Sequence, residues 1–151
     1  MNKLRYQKPQ AVKELERLAL EHFRREHPNF PEYAIAPQSY RDDTANGLTR
    51  CVVDFIRYND GQAERVNITG MPEQRSGRII WRKSNTTKSS ADISATIAGR
   101  SVKIEVKIGP DRQSEAQCRY QTAIERAGGL YFIAKDFTSF VRWYDTNFKR
   151  A

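Results

Sequence analysis

Residues 91–107, ADISATIAGRSVKIEVK, alternate between apolar and polar side chains with a period of two on either side of a turn that contains glycine. This alternation is typical of half-buried strands and predicts a β-hairpin with a two-residue turn at Ala98 and Gly99. Both apolar sets must lie on one face, because a slip of one residue in the pairing would expose one set to water. The sets are Ile93, Ala95 and Ile97 in the first strand and Val102, Ile104, Val106 and Ile108 in the second.

The polar face of the same hairpin carries an unfavourable set of charges. The two-residue turn places Asp92 directly opposite Glu105, as would a four-residue loop, whereas a bulge would shift the pairing. Like charges on opposed strand residues destabilise a sheet, and Lys107 follows Glu105 on the same face at about 6.5 Å along the strand. A divalent metal held by Asp92 and Glu105 would relieve the repulsion. The alternative is a solvated strand face whose charges have no function.

Composition indicates a globular chain with an anionic partner. The 151 residues suffice for one domain with its own core. The 26 lysines and arginines exceed the 18 aspartates and glutamates, and the net charge of +8 favours a polyanion such as DNA. No apolar run approaches the ~20 residues that span a membrane, and no signal-peptide segment is visible, so we expect a cytoplasmic protein without membrane contact. Cys51 and Cys118 fit no zinc or CxxC pattern and are predicted to be buried thiols.

Periodicity and capping residues predict the other elements. The predicted helices are 9–27 with Pro9 at its first position, 44–59, 114–128 and 137–148. The predicted strands are 63–69, an edge strand at 78–83, and 130–134. Irregular segments are predicted at 28–43, pinned by Phe30, Tyr33 and Tyr40, and at 70–77, a long loop. The buried face of the third helix is predicted to comprise Ala116, Tyr120, Ala123, Ile124 and Ala127. The chain is therefore of the α/β (α+β) class, with core order αβββαβ, a mixed central sheet flanked by helices, and an extra helix at each end.

The spacing D-x12-E-V-K, formed by Asp92, Glu105 and Lys107, resembles the metal-binding signature of the PD-(D/E)xK nuclease superfamily. The next segment, DRQSEAQCRYQTAIERAGG, is similar to the helix that completes this site in the VRR-NUC branch, which is related to the archaeal Holliday-junction resolvases. The resemblance covers about residues 47–144 and is most specific over 90–129. It implies a restriction-endonuclease-like core in residues 44–151. Residues 1–43 are then a helix and irregular arm on the same compact domain.

The chemistry of phosphodiester hydrolysis assigns roles to the residues of this signature. Asp92 and Glu105 are hard oxygen ligands suited to Mg²⁺ or Mn²⁺, and the backbone carbonyl of Val106 could add a third. Lys107 would orient or deprotonate the attacking water and offset charge at phosphorus; its alternative is an ordinary surface lysine.

Two explanations compete for Gln117. The resemblance implies that this glutamine lies beside the metal and takes part in the catalytic set. The spacing Ser114-x-x-Gln117 also fits a capping box that needs no function. Gln121, one turn further on, could face the site as well.

The chain departs from the family pattern at two positions. The related resolvases carry a glutamate in the first core helix, whereas residues 47–50 here are Gly-Leu-Thr-Arg. Either Asp92 and Glu105 suffice, or Asp54 or another acid replaces the glutamate, or a second metal binds weakly. Ala91 replaces the superfamily proline before the first aspartate.

A basic segment precedes Asp92 and is a candidate path for the DNA backbone. Its cations are Arg75, Arg78, Arg82, Lys83 and Lys88, against the single acid Glu73. Lys103 and Arg112 flank the site and are further candidate phosphate contacts. The alternative is a solvated basic loop. Trp81 within it could stack on a base or pack in the core, and packing in the core is the commoner case.

These observations favour a metal-dependent DNA endonuclease, structure-selective for branched, flapped or nicked DNA and of phage or mobile-element type. A junction resolvase would be a symmetric homodimer, since it must cut two opposed strands. A non-catalytic nucleic-acid-binding module with the same fold is the main alternative. A small protein-interaction factor with a basic surface is a third.

Overall fold

The computed structural model of the chain describes residues 5–66, 71–82 and 89–149. Over these residues it has four α-helices, α1 (Gln10–Glu26), α2 (Ala45–Tyr58), α3 (Glu115–Arg126) and α4 (Phe137–Phe148), and a 3-10 turn at Glu32–Ala34. Its strands are β1 (Gln62–Arg65), β2 (Met71–Arg75), β3 (Arg78–Arg82), β4 (Ile93–Ile97), β5 (Arg100–Val106) and β6 (Leu130–Ala134). The mixed α+β class predicted from the sequence is confirmed. Within the described residues no helix is both long enough and apolar enough to cross a bilayer.

The central sheet has four strands in the order β1-β4-β5-β6. The first two neighbouring pairs are antiparallel, and β5 and β6 are parallel. The predicted hairpin is confirmed in its register, with Ile93 opposite Ile104. Ala98 and Gly99 have φ angles of 49° and 78°, as a two-residue type I′ turn requires. The next pair along this register is Asp92 and Glu105.

The hydrophobic core lies on the apolar face of the hairpin, beneath α2. Ile93, Ile104 and Val102 are fully buried there. The side chain of Thr44 accepts a hydrogen bond from the amide of Gly47 and caps α2. The ring of Phe55, on α2, packs edge-on against Phe137 and Phe140 of α4 and extends the core between the two helices.

The other face of the sheet is covered more thinly, by α3. Of its twelve residues, all in the described part of the chain, none is buried. The prediction of a buried face is therefore wrong: Ala116, Tyr120 and Ile124 are half-buried, and Ala123 and Ala127 are exposed. The helix packs mainly against β6 and reaches the polar face of the hairpin through Gln117, which contacts Glu105.

The structure corrects several single-residue predictions outside the central sheet. Pro9 is the N-cap of α1 and not its first helical residue, because its ψ of 157° is extended. Of the three predicted aromatic pins only Tyr40 is buried; Phe30 is exposed, and Tyr33 is 93% exposed. Cys118 is exposed, contrary to the prediction, while Cys51 is buried as expected.

The segment before Asp92 forms a β-ribbon, the antiparallel pair β2–β3. The predicted loop at 70–77 is therefore wrong over 71–75. Ser76 and Gly77 have φ angles of 51° and 78°, which form the tight turn that joins the two strands. The predicted strand at 78–83 exists as β3, but it belongs to this separate ribbon and not to the edge of the central sheet. The predicted strand at 63–69 is β1 as far as Arg65, and residues 67–69 lie outside the described residues.

Candidate active site

The register of the β4–β5 hairpin brings two carboxylates together at one end of the sheet. Asp92 directly precedes β4, and Glu105 is the penultimate residue of β5. Asp92 is held in place by the backbone of β5, because its Oδ2 accepts a hydrogen bond of 2.8 Å from the amide of Val106. The position of this carboxylate is therefore set by the strand pairing and not by a flexible side chain.

Glu105 is the most deeply buried carboxylate of the site, at 3% exposure. Its Oε1 accepts a hydrogen bond of 2.6 Å from Nε2 of Gln117 and lies 3.4 Å from Nζ of Lys107. Its Oε2 is buried and has no hydrogen-bond partner among the described residues. Burial, and then the negative charge of Asp92, raise the pKa of Glu105 above its ordinary value, although Lys107 opposes the shift.

Gln117 forms the predicted capping box and, with the rest of its side chain, contacts Glu105. The side-chain Oε1 of Gln117 accepts a hydrogen bond of 2.9 Å from the backbone amide of Ser114, and the backbone amide of Gln117 donates to Oγ of Ser114 at 3.2 Å. This is the predicted capping box of α3. The remaining group of the same side chain, Nε2, donates to Glu105. The cap therefore fixes the amide in the orientation that makes the contact with Glu105.

Lys107 is buried at 7% exposure, so the surface-lysine alternative does not describe its environment. Its ammonium lies 3.4 Å from Oε1 of Glu105 and 3.5 Å from Oδ2 of Asp111. The motif spacing does not predict a role for Asp111, which lies four residues after Lys107 in the loop that leads to α3. Two carboxylates keep the ammonium at the edge of the site.

Gln113 and Tyr131 adjoin the site and were also missed. Nε2 of Gln113 donates to Oε1 of Gln121 at 3.1 Å and to the hydroxyl of Tyr131 at 3.4 Å. Gln121 thus reaches the site through Gln113. Burial raises the pKa of Tyr131 to about 12, so its phenol is neutral at physiological pH. Tyr131 is paired with Lys103 across β5 and β6, and this register places it on the Glu105 face of the sheet.

The predicted DNA contacts are spread over several elements. Lys103 is half-buried on the Glu105 face, where its ammonium donates to Ser94 at 2.5 Å, and Arg112 is exposed on the loop before α3. Arg75 and Arg78 are exposed and directly opposed at the tip of the ribbon. Arg82 ends β3, and Lys83 and Lys88 lie outside the described residues.

Asp54, a suggested substitute for the family's first-helix acid, has other partners. Its carboxylate accepts a hydrogen bond of 2.8 Å from the hydroxyl of Tyr40 and lies 3.7 Å from Nε of Arg50. The first turn of α2 instead presents Asn46, whose amide oxygen accepts a hydrogen bond from Arg65 at 2.8 Å. The structure therefore does not bring Asp54 to Asp92 and Glu105.

The donor set fits a hard divalent cation better than zinc. The described residues contain no group of three or more histidine, cysteine, aspartate or glutamate side chains placed to hold a metal. Two carboxylates, one with a buried oxygen that has no partner in the described part of the chain, suit Mg²⁺ or Mn²⁺, which bind through one or two carboxylates and keep several waters. The Val106 carbonyl remains a predicted third ligand.

Comparisons with known proteins do not identify the chain. No protein-family model matches the sequence, and a search of curated proteins finds no match.

Proposed function

We propose that the chain is a metal-dependent endonuclease that hydrolyses phosphodiester bonds of DNA. The observation that carries the proposal is the buried Oε2 of Glu105, which has no hydrogen-bond partner among the described residues and lies at the same end of the sheet as Asp92 and the buried ammonium of Lys107. A buried carboxylate oxygen without a partner is costly to keep. A divalent cation is the ligand that would satisfy it and also relieve its repulsion by Asp92.

Each residue has a role that follows from its contacts. Asp92 and Glu105 would hold Mg²⁺ or Mn²⁺, which when bound supplies positive charge to the scissile phosphate and increases the acidity of water. Gln117 orients Glu105 through its amide. Lys107, held between Glu105 and Asp111, is placed to orient the attacking water and to balance negative charge at phosphorus. Water adds its oxygen to phosphorus, the bond from phosphorus to one sugar oxygen breaks, and that oxygen takes up a proton.

The element order and the charge of the chain support the same proposal. Without the inserted ribbon, the elements from α2 to β6 follow the order helix, three strands, helix, strand, which the resemblance to PD-(D/E)xK nucleases implies. The net charge of +8 suits a polyanionic substrate. The resemblance to the VRR-NUC branch favours branched, flapped or nicked DNA as the substrate and leaves a homodimer open.

A cleavage assay with a matched variant tests the proposal. The purified protein is incubated with end-labelled linear, flapped, forked and four-way DNA in Mg²⁺, Mn²⁺ or EDTA, next to Asp92→Asn. We expect cutting that requires the metal and is lost in Asp92→Asn, while that variant still binds DNA. Tight DNA binding without cutting of any substrate in either metal would refute the nuclease and support the non-catalytic binding module.

A further inference from the structure

The β2–β3 ribbon exposes large apolar side chains that the nuclease site does not use. Trp81 is 71% exposed and Ile79 is 75% exposed, contrary to the commoner expectation that such a tryptophan packs in a core. Directly opposed residues of an antiparallel pair share a face. The register pairs Pro72 with Trp81 and Gln74 with Ile79, so these four residues form one face, here called the tryptophan face.

The opposite face of the ribbon differs in character. It carries the pairs Glu73 with Ile80 and Arg75 with Arg78, and the two arginines stand beside the turn at the tip. The ribbon sequence 71–82 contains three arginines and one glutamate, a net charge of +2. An apolar face on a cationic, two-stranded support matches a ligand that offers flat apolar surfaces along an anionic backbone.

A nucleic acid with unpaired bases is the ligand that meets both requirements. Exposed aromatic side chains stack on bases of any sequence, and arginines bind the adjoining phosphates. A second copy of the ribbon would meet the apolar requirement only, because two ribbons packed face to face would bring two net charges of +2 together. In a continuous duplex the bases are stacked on each other and offer their flat faces only at breaks and branches.

The ribbon is inserted in the chain next to the candidate active site. The amide of Val66, just after β1, donates a hydrogen bond of 2.8 Å to the carbonyl of Asp92. Met71, the first residue of the ribbon, follows Val66 by five residues. An extended chain spans at most about 3.6 Å per residue, so the start of the ribbon lies within roughly 18 Å of Val66, which is hydrogen-bonded to Asp92. A DNA branch held by the ribbon is therefore within reach of Asp92 and Glu105.

We propose that the tryptophan face of the β2–β3 ribbon binds unpaired bases at a branch or flap, with Trp81 stacked on a base. This inference rests on the proposed function for its substrate class and names the feature of DNA that the protein selects. The arginines at the tip contact phosphates of the same strand. The ribbon thereby presents the phosphates beside the branch to the carboxylate site.

Tryptophan fluorescence in EDTA tests the proposal without any cleavage. Trp143 is replaced by phenylalanine so that Trp81 is the single emitter. The probes are a single-stranded oligonucleotide, a forked duplex and a continuous duplex of the same length. We expect quenching of Trp81 by the first two probes and little quenching by the continuous duplex. Equal quenching by all three, or none, would overturn the proposal.

Affinity measurements with matched variants complete the test. Trp81→Ala should weaken binding to the fork by roughly 5- to 150-fold, the loss expected for one stacked base, and should weaken duplex binding far less. Ile80→Ala, an exposed isoleucine on the opposite face, serves as the control and should stay within about twofold of the parent. Unchanged fork affinity in Trp81→Ala would overturn the proposal. Loss of self-association in that variant, with fork affinity unchanged, would assign the face to a second copy of the chain.

The outcomes separate this inference from the nuclease proposal. Fork binding through Trp81 by a protein that cuts nothing in Mg²⁺ or Mn²⁺ would leave the inference standing and refute the nuclease. Metal-dependent cutting with no effect of Trp81→Ala on fork binding would support the nuclease and refute the inference about the tryptophan face.

Discussion

The two faces of the β4–β5 hairpin are built from alternate residues of the same two strands, but their side chains differ in how fully their polar groups are paired. On one face Ile93, Ile104 and Val102 are fully buried beneath α2. On the other face Glu105 and Lys107 are almost as deeply buried, at 3% and 7% exposure, yet Oε2 of Glu105 lacks a partner among the described residues. The covering helix of this second face, α3, contributes half-buried and exposed residues only.

The difference between the faces separates stability from function. Burial of aliphatic side chains beneath α2 stabilises the fold. Burial of Glu105 beside the half-buried carboxylate of Asp92 opposes it, as the raised pKa of Glu105 indicates. A cation bound at the proposed metal site would relieve this cost. Substitutions on the polar face should therefore act mainly on cleavage and metal binding, and substitutions on the apolar face mainly on the free energy of unfolding.

The largest expected effect is on cleavage, from Lys107→Ala on the polar face. Loss of the ammonium should lower the cleavage rate by about 10²- to 10⁴-fold, because neither the water nor the charge at phosphorus would be supported. Single-turnover cleavage of the preferred DNA measures the effect, and DNA binding should be retained. Lys13→Ala, an exposed lysine of α1, is the charge-matched control and should keep the parent rate within about twofold. Equal rates in the two variants would remove Lys107 from the mechanism.

The next largest effect is on folding, from Ile104→Ala on the apolar face. Removal of this fully buried side chain should lower the free energy of unfolding by about 2–5 kcal/mol, since it leaves a cavity beneath α2. Urea unfolding followed by circular dichroism measures the change. Thr96→Ala, an exposed residue of the polar face, should stay within about 0.5 kcal/mol. If Ile104→Ala were as mild as Thr96→Ala, the apolar face would not be the core.

A smaller effect is expected from Gln117→Ala, which should change both the affinity for Mg²⁺ and the stability of the fold. Loss of its amide contact with Glu105 should lower the apparent affinity for Mg²⁺ by about 10- to 100-fold, as for other residues that orient a metal ligand. Ser114→Ala removes the cap but leaves that contact, so it should cost about 0.5–2 kcal/mol of stability with a far smaller change in Mg²⁺ dependence. A Mg²⁺ dependence changed equally in the two variants would reduce Gln117 to a capping residue.

The smallest effect, and the one with an unusual sign, is expected from Glu105→Gln without metal. Because the folded protein raises the pKa of Glu105, ionisation of this group is less favourable in the folded than in the unfolded chain. The parent therefore loses stability as the pH rises from the ordinary pKa of a glutamate through the raised one. Glu105→Gln should be the more stable protein at neutral pH, and the difference should vanish at acid pH. Each kcal/mol gained should raise Tm by about 2–4 °C. Thermal melts in EDTA from pH 3 to pH 8 measure it, and a lower Tm in the variant at pH 8 would contradict the sign.

The parts of the structure that the sequence predicts correctly are those fixed by local patterns. The alternation of residues 91–107 and the Ala98-Gly99 turn determine the register, and the register alone opposes Asp92 and Glu105. The spacing of Ser114 and Gln117 determines the cap of α3. Each of these rests on residues a few positions apart or on a period of two.

The parts that sequence patterns miss depend on contacts between distant segments or on a fold with little burial. Residues 72–81 of the β2–β3 ribbon are all exposed, and no buried apolar alternation marks its strands. Its Met71-Pro72 and Ser76-Gly77 pairs are typical of a loop. The contact of Gln113 with Tyr131 joins residues eighteen positions apart, and no spacing rule predicts it.

Calorimetric titration of the folded protein with Mn²⁺, for the parent and for Glu105→Gln, tests most directly whether the polar face is a metal centre. Thermal melts establish beforehand that the variant is folded. We predict saturable binding to the parent, a rise in its Tm with added Mn²⁺, and neither effect in Glu105→Gln. Equal binding to both proteins, or no binding to the parent, would contradict the account that Asp92 and Glu105 are paired to hold a cation.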